Sequence, residues 1–123
     1  MTKSKQLSRS DEISVDYFHF LDHHINEVVT GKALSFLELN EIASELAISH
    51  QHLSDTIQKK FGQHPCYFYD HKIIEVAKKM LLETNLSIAE VARRLTYDPS
   101  NFSKFFKKFT GETPGKFRKK TVP

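Results

Sequence analysis

Disulfide chemistry is the first thing this chain lacks. It contains a single cysteine, Cys66, so no internal disulfide can form, and that usage fits a reducing compartment. Nor does any stretch approach the roughly 18 consecutive apolar residues that a membrane span requires. The opening Met-Thr-Lys-Ser-Lys-Gln is polar and unlike a secretory signal peptide. No segment alternates apolar and polar residues as a half-buried strand would. These absences lead us to expect an all-α protein of the cytoplasm with no membrane association. At 123 residues, 39% apolar and 27% charged, the chain is long enough for one domain or two very small ones sharing a core.

Net charge is only +3, but it is unevenly distributed. Residues 1–71 carry six Lys/Arg against ten Asp/Glu; residues 72–123 carry twelve against five. The basic half suits a polyanionic partner, although charge alone would serve a soluble lysine-rich surface equally well.

What the chain does have is an internal repeat. Shifted by 49 residues without a gap, identities fall at Leu37/Leu86, Glu41/Glu90, Ala43/Ala92, Leu46/Leu95, Ser54/Ser103, Lys59/Lys108, Gly62/Gly111 and Pro65/Pro114. Repetition at that length marks a duplicated supersecondary unit. Apolar spacing inside each copy is helical: Leu37, Ile42 and Leu46 share a face, as do Leu86, Val91 and Leu95. Each first helix is expected to open on a capping box, Ser35-Phe-Leu-Glu38 and Ser87-Ile-Ala-Glu90. After a short turn, Ser49 and Asp98 are the expected N-caps of the second helices, with Pro99 at a first helical position. Phe102, Phe105, Phe106 and Phe109 form a stripe suited to burial. Gly62 and Gly111 are placed to end these helices as left-handed caps. Ala43 and Ala92 are small enough for close helix crossing.

Further helices are predicted over residues 15–29, over 66–83 joining the two copies, and from Thr113-Pro114 onward with Phe117 inward. The expected fold is thus all-α, about seven helices. Residues 1–14 would be a flexible tail, 15–65 and 84–120 two helix-turn-helix subdomains, and 66–83 a linking helix.

A helix-turn-helix places its second helix in the DNA major groove. In the second copy, the face opposite the Phe stripe offers Ser100, Asn101, Ser103, Lys104, Lys107 and Lys108. Short polar groups stand where base edges are met and lysines where phosphates run. Arg93 and Arg94 lie on the preceding helix, which would cross the backbone. The first copy offers His50, Gln51, Ser54, Asp55 and Gln58, with Lys59 and Lys60 at its end. Gln51 suits adenine, whereas Asp55 repels phosphate; it can accept from a cytosine amine, but an exposed Asp is more often simply solvated. The second copy should therefore supply most of the electrostatic affinity.

Taken together these motifs resemble the AraC/XylS family of bacterial transcription regulators, from about residue 15 to 119. The resemblance rests on the A-x-x-L and L/F-S cores of both copies and on Lys59-Lys60-Phe61-Gly62. It rests also on the linking segment Ala77-Lys78-Lys79-Met80-Leu81-Leu82-Glu83-Thr84-Asn85-Leu86-Ser87-Ile88 and on the ending Phe106-Lys107-Lys108-Phe109-Thr110-Gly111-Glu112-Thr113-Pro114-Gly115-Lys116-Phe117-Arg118. That ending is similar to the family's F-K-x-x-x-G-x-[ST]-P-x-x-[FY]-R. The resemblance implies sequence-specific binding of double-stranded DNA, with contacts carried over to Gln51, Ser54, Ser100, Ser103 and Lys104. It also implies activation through RNA polymerase and a place at the bacterial nucleoid. Family members often carry a fused sensing or dimerisation domain, so the chain reads as a stand-alone regulator or as the DNA-binding portion of one. Two positions depart from the pattern. The family's second turn usually contains Gly-Phe and is one residue longer than Leu95-Thr96-Tyr97-Asp98-Pro99, which predicts a tighter or differently angled turn. Asp55 stands where a basic or polar residue is usual.

With both copies in one chain, a monomer should cover an asymmetric site of about 20 bp through successive major grooves. A linking helix of 18 residues spans about 27 Å, short of the roughly 34 Å turn, so bent DNA is expected if that helix sets the spacing.

Other features are less telling. His19 and His23 are spaced i, i+4 beside Asp22 and His24, but no fourth metal ligand is placed with them and a solvated face is the commoner use. His50 and His52 read as surface residues near a cap, and Cys66 as a small packed residue without a catalytic partner. Arg118-Lys119-Lys120 is either a phosphate clamp or a frayed basic tail. No cofactor, metal or enzymatic activity is expected. The rival from another class is a protein-interaction adaptor built on a DNA-binding fold, with the acidic first copy as its surface.

Overall fold

The structure, a computed structural model, describes residues 8–121. Among them run seven helices and no strand: α1 (Arg9–Val29), α2 (Leu39–Glu45), α3 (His50–Phe61), α4 (Pro65–Glu83), α5 (Ile88–Arg94), α6 (Pro99–Thr110) and α7 (Pro114–Thr121). By packing, the chain divides into two compact units. Among the described residues, unit 1 comprises 8–23 and 37–69, and unit 2 comprises 24–36 and 70–121. Thus α1 and α4 each contribute to both, and the loop 30–36 packs with the second half of the sequence rather than the first.

The first helix begins at Arg9, six residues before the expected start, so residues 9–14 are helical and not tail; residues 1–7 lie outside the described part. Ser8 is the reason: its Oγ accepts the Asp11 N–H at 3.1 Å, while Asp11 and Glu12 favour the positive end of the helix dipole. Ile13 and Ser14 are then buried, with Ser14 Oγ donating to the Ser10 carbonyl at 2.8 Å.

In unit 1, Ile13, Tyr17 and Leu21 of α1 and Ile42, Ala43, Leu53 and Ile57 are all buried side chains. The Tyr17 hydroxyl, itself buried, donates to the Pro65 carbonyl at 2.8 Å, which removes the cost of an unpaired polar group. Phe18, Phe61 and Phe68 close one side edge-to-face, their centroids 5.3 to 5.6 Å apart. The expected capping box at Ser35 is not the one formed. Helix α2 starts one turn later, with Glu38 as N-cap and its N–H donated to Glu41 Oε1 at 2.7 Å. Just before the helix, the Leu37 carbonyl accepts the Tyr69 hydroxyl at 2.9 Å.

Unit 2 is built on Ile74, Ala77, Leu81, Val91, Ala92, Leu95, Phe102 and Phe106, with Phe36, Tyr97, Phe105, Phe109 and Phe117 packed around them. Phe102 and Phe106 are wholly buried, each worth about 2 kcal/mol of apolar transfer. Ser87 caps α5 as expected, accepting the Glu90 N–H at 3.1 Å. At the end of the unit, Arg118 donates to the carbonyls of Leu81 (2.9 Å), Leu86 (2.6 Å) and Thr84 (3.3 Å). These are carbonyls at and just beyond the end of α4, left without helical partners. Arg118 is therefore a structural clamp on backbone rather than a frayed tail, and Lys120 pairs with Glu112 at 2.9 Å.

The two tight turns share one backbone. Ala47 and Thr96, 49 residues apart, both hold φ at 61°, and the following N–H returns to the alanine carbonyl: Ile48 to Ala43 at 3.0 Å, Tyr97 to Ala92 at 2.9 Å. The absence of glycine has not set the second turn apart from the first. Instead Thr96 adopts a left-handed conformation that is uncommon for a β-branched residue.

A candidate nucleic-acid interface

Each unit positions its second helix by the same devices. Ser49 Oγ accepts from the His52 N–H at 3.0 Å at the head of α3, and Gly62 closes that helix with φ 77°. Asp98 accepts from the N–H groups of Ser100 and Asn101 at 3.1 and 3.4 Å at the head of α6, and Gly111 closes it with φ 87°. With Leu53 and Ile57, or Phe102 and Phe106, buried, the opposite face of each helix is left to solvent.

On α6 that face carries Ser100, Asn101, Lys104, Lys107 and Lys108, all exposed. Lys108 also lies over the Phe109 ring at 5.7 Å. Ser100 donates its hydroxyl hydrogen to Asp98 Oδ2 at 2.6 Å, which leaves its oxygen as the acceptor available to a ligand. The same bond, with the two backbone donors and nearby Lys104, holds the Asp98 carboxyl below its ordinary value of 3.8. Ser103 is half-buried at the flank of the face, as is Ser54 at the equivalent place on α3. Arg93 and Arg94 are exposed at the end of α5; Arg93 pairs with Glu90 at 2.8 Å. Both arginines border a shallow cleft with Val28, Gly31, Leu34 and Thr96. Nearby, burial raises the half-buried Asp70 carboxyl despite Lys108 and His71, and burial with Asp70 pushes the Tyr97 hydroxyl up to about 12.

On α3, Gln51, Asp55, Gln58 and Lys59 are exposed, and Gln51 Nε2 donates to Asp55 Oδ1 at 2.9 Å. Lys60, grouped with Lys59 in the sequence, turns away to an ion pair with Asp11 of α1. The repeat itself carried this signal, because the residue 49 positions after Lys60 is Phe109, which packs inward beside Phe105 at 5.1 Å. The structure thus brings Lys104, Lys107, Lys108 and Asn101 together and leaves Lys60 on another face.

Charge divides the same way. The described residues of unit 1 hold three Lys/Arg against eight Asp/Glu, and those of unit 2 thirteen against seven. Cys66, expected to be packed, is exposed near the start of α4, where its N–H donates to His64 Nδ1 at 3.1 Å. His19, His23, His50 and His52 are exposed. No group of three or more His, Cys, Asp or Glu that could hold a metal ion occurs among the described residues. Nor is any described helix long and apolar enough to cross a membrane.

A family model described as a helix-turn-helix domain matches residues 42–120, from within α2 through α3, α4, α5 and α6 into α7. The chain belongs to the AraC-type helix-turn-helix family. Curated relatives agree. The HTH-type transcriptional regulator YfiF of Bacillus subtilis is 34% identical over 82 residues, covering 67% of this chain and 26% of its own length. The arabinose operon regulatory protein of Escherichia coli is 27% identical over 117 residues, covering 91% of this chain and 40% of its own length. This AraC-type chain therefore spans less than half of either relative. Among solved structures, the C-terminal domain of AraT, a response regulator from Geobacillus stearothermophilus, superposes with a TM-score of 0.80 at 28% identity, covering 94% of this chain and 91% of that one. The DNA-binding domain of the global transcriptional factor AdpA, solved with a target DNA, shares the fold at a TM-score of 0.71 and 16% identity, covering 88% and 90%. The AraC-type family is one of transcription regulators rather than of enzymes.

Proposed function

We propose that this chain is a sequence-specific regulator of transcription that binds double-stranded DNA as a monomer, one second helix in each of two successive major grooves. The observation that carries the reading is the solvent face of α6. There Asn101 stands in the first turn and Lys104, Lys107 and Lys108 follow, directly opposite the buried Phe102 and Phe106. Polar groups at the head of such a helix meet base edges, and lysines behind them neutralise phosphates and release counterions. Ser100 joins as an acceptor toward a base amino group, with Ser103 at the margin of the contact. Arg93 and Arg94 grip backbone phosphate from α5. From α3, Gln51 reads a base, Ser54 stands at the margin and Lys59 reaches phosphate; Lys60 is left out because Asp11 occupies it. The setting is the cytoplasm at the bacterial nucleoid, and activation proceeds through contact with RNA polymerase, as the family resemblance implies. No step requires a metal, a cofactor or catalysis.

Selection of bound duplexes from a random pool tests this reading. Two short boxes about one helical turn apart are expected. A single box would confine base reading to one unit. No enrichment would overturn the reading and leave the adaptor, which the acidic balance of unit 1 favours.

A further inference from the structure

Asp55 is the residue least suited to a helix that approaches phosphates, yet it stands exposed in the middle of α3. Its carboxylate is engaged by one neighbour on its own helix: Gln51 Nε2 donates to Asp55 Oδ1 at 2.9 Å across one turn. Gln51 is the second residue of α3, at the end where a recognition helix meets base edges.

We infer that Asp55 is a positioning residue that sets which base Gln51 reads, orienting its amide toward adenine and against guanine. The inference rests on the reading of α3 as a major-groove helix. An unconstrained glutamine amide can turn over, exchanging its donor and acceptor ends. A carboxylate only accepts, so it fixes the NH₂ end on the Asp55 side and takes one of its two hydrogens. What remains is one N–H beside the Oε1 acceptor. That pair complements the adenine edge, N7 accepting and the N6 amino group donating. Guanine presents two acceptors, N7 and O6, and would need both hydrogens of the same nitrogen. The negative charge one turn away adds repulsion against that acceptor-rich edge.

The device belongs to unit 1 alone. At the corresponding places in α6 stand Ser100 and Lys104, and Ser100 donates to Asp98 instead. The same exchange explains how unit 1 can give up phosphate affinity at this position: what Lys104 contributes to grip in α6, Asp55 contributes to base choice in α3.

The experiment is selection of bound duplexes from a random pool by the full chain and by D55A, D55N and Q51A, with thermal unfolding of each to verify folding. We expect the unsubstituted chain to enrich adenine at one position that Q51A no longer selects. D55A should lower the adenine-over-guanine preference there by about tenfold. D55N should lower it as well, because an asparagine amide can donate to Gln51 Oε1 as readily as it accepts from Nε2 and so no longer fixes which end lies where. An undiminished preference in D55A overturns the inference while the functional reading stands. A preference kept in full by D55N also overturns it, since an accept-only carboxylate would then not be what orients Gln51. If the unsubstituted chain enriches no base that depends on Gln51, the reading of α3 fails and takes the inference with it.

Discussion

At position 69 of unit 1 a tyrosine hydroxyl donates to the Leu37 carbonyl at 2.9 Å; 49 residues later, in unit 2, Arg118 donates to the Leu86 carbonyl at 2.6 Å. Donor and acceptor are both displaced by the repeat distance, yet the donor has changed from a neutral phenol to a guanidinium. Arg118 also takes the Leu81 and Thr84 carbonyls, which the single tyrosine hydroxyl has no counterpart to reach. Duplication has preserved where the backbone needs a donor and left open which side chain provides it. The outward faces diverged further: Asp55 faces Lys104 across the repeat, Gln51 faces Ser100, and Gln58 faces Lys107. The two copies thus agree where backbone hydrogen bonds set the frame and differ on their solvent faces.

If that comparison is sound, the clamps should differ in strength more than any other matched pair. Arg118→Ala strands three backbone carbonyls and should cost unit 2 about 3 kcal/mol in urea unfolding, whereas Tyr69→Phe removes one bond and should cost unit 1 about 1 kcal/mol. Equal losses would mean that the second and third Arg118 contacts carry no energy.

The caps come next. Ser49→Ala should cost about 1 kcal/mol with little dependence on pH. Asp98→Ala should destabilise unit 2 at neutral pH in a way that acid removes. The folded carboxyl lies below its ordinary value of 3.8, so its stabilisation is present above that value and is lost as pH falls through the folded value. Melting curves of the variant and the unsubstituted chain should therefore converge below pH 3.8; a constant gap would assign the effect to something other than carboxylate charge.

The turns give the smallest effect. Thr96 and Ala47 share a φ of 61°, and the β-branched residue is the more crowded there. Thr96→Gly should raise stability by about 0.5 kcal/mol, the relieved strain slightly exceeding the added chain entropy, and Ala47→Gly should gain less. A loss in Thr96→Gly would show that its hydroxyl, bonded to the Leu95 carbonyl at 2.7 Å, outweighs the strain.

Much of the frame could be read from the chain because it obeys local rules. Ser49, Asp98, Gly62 and Gly111 act within one turn of themselves, and Phe102 and Phe106 follow a period that burial alone explains. Contacts distant in sequence were harder to read. Nothing near Arg118 says that it reaches back to Leu81, and nothing near Lys60 says that Asp11 holds it. The early start of α1 was legible in Ser8-Arg9-Ser10-Asp11, where serine precedes an acidic residue by three places, but the polar composition of that stretch concealed it. At the interface, the lysines of α6 were legible as one face of a stripe-bearing helix. The Gln51–Asp55 bond was not, because either residue alone suits solvent equally well.

On the proposed reading, unit 2 holds the DNA electrostatically while unit 1 contributes chiefly selection. The salt dependence of binding to a selected duplex tests it most directly. For the Lys104→Ala/Lys107→Ala double variant, the slope of log affinity against log salt should become shallower by about 1.8, the loss expected for two phosphate contacts. For Gln51→Ala the slope should stay unchanged. An unaltered slope in the double variant would contradict the account.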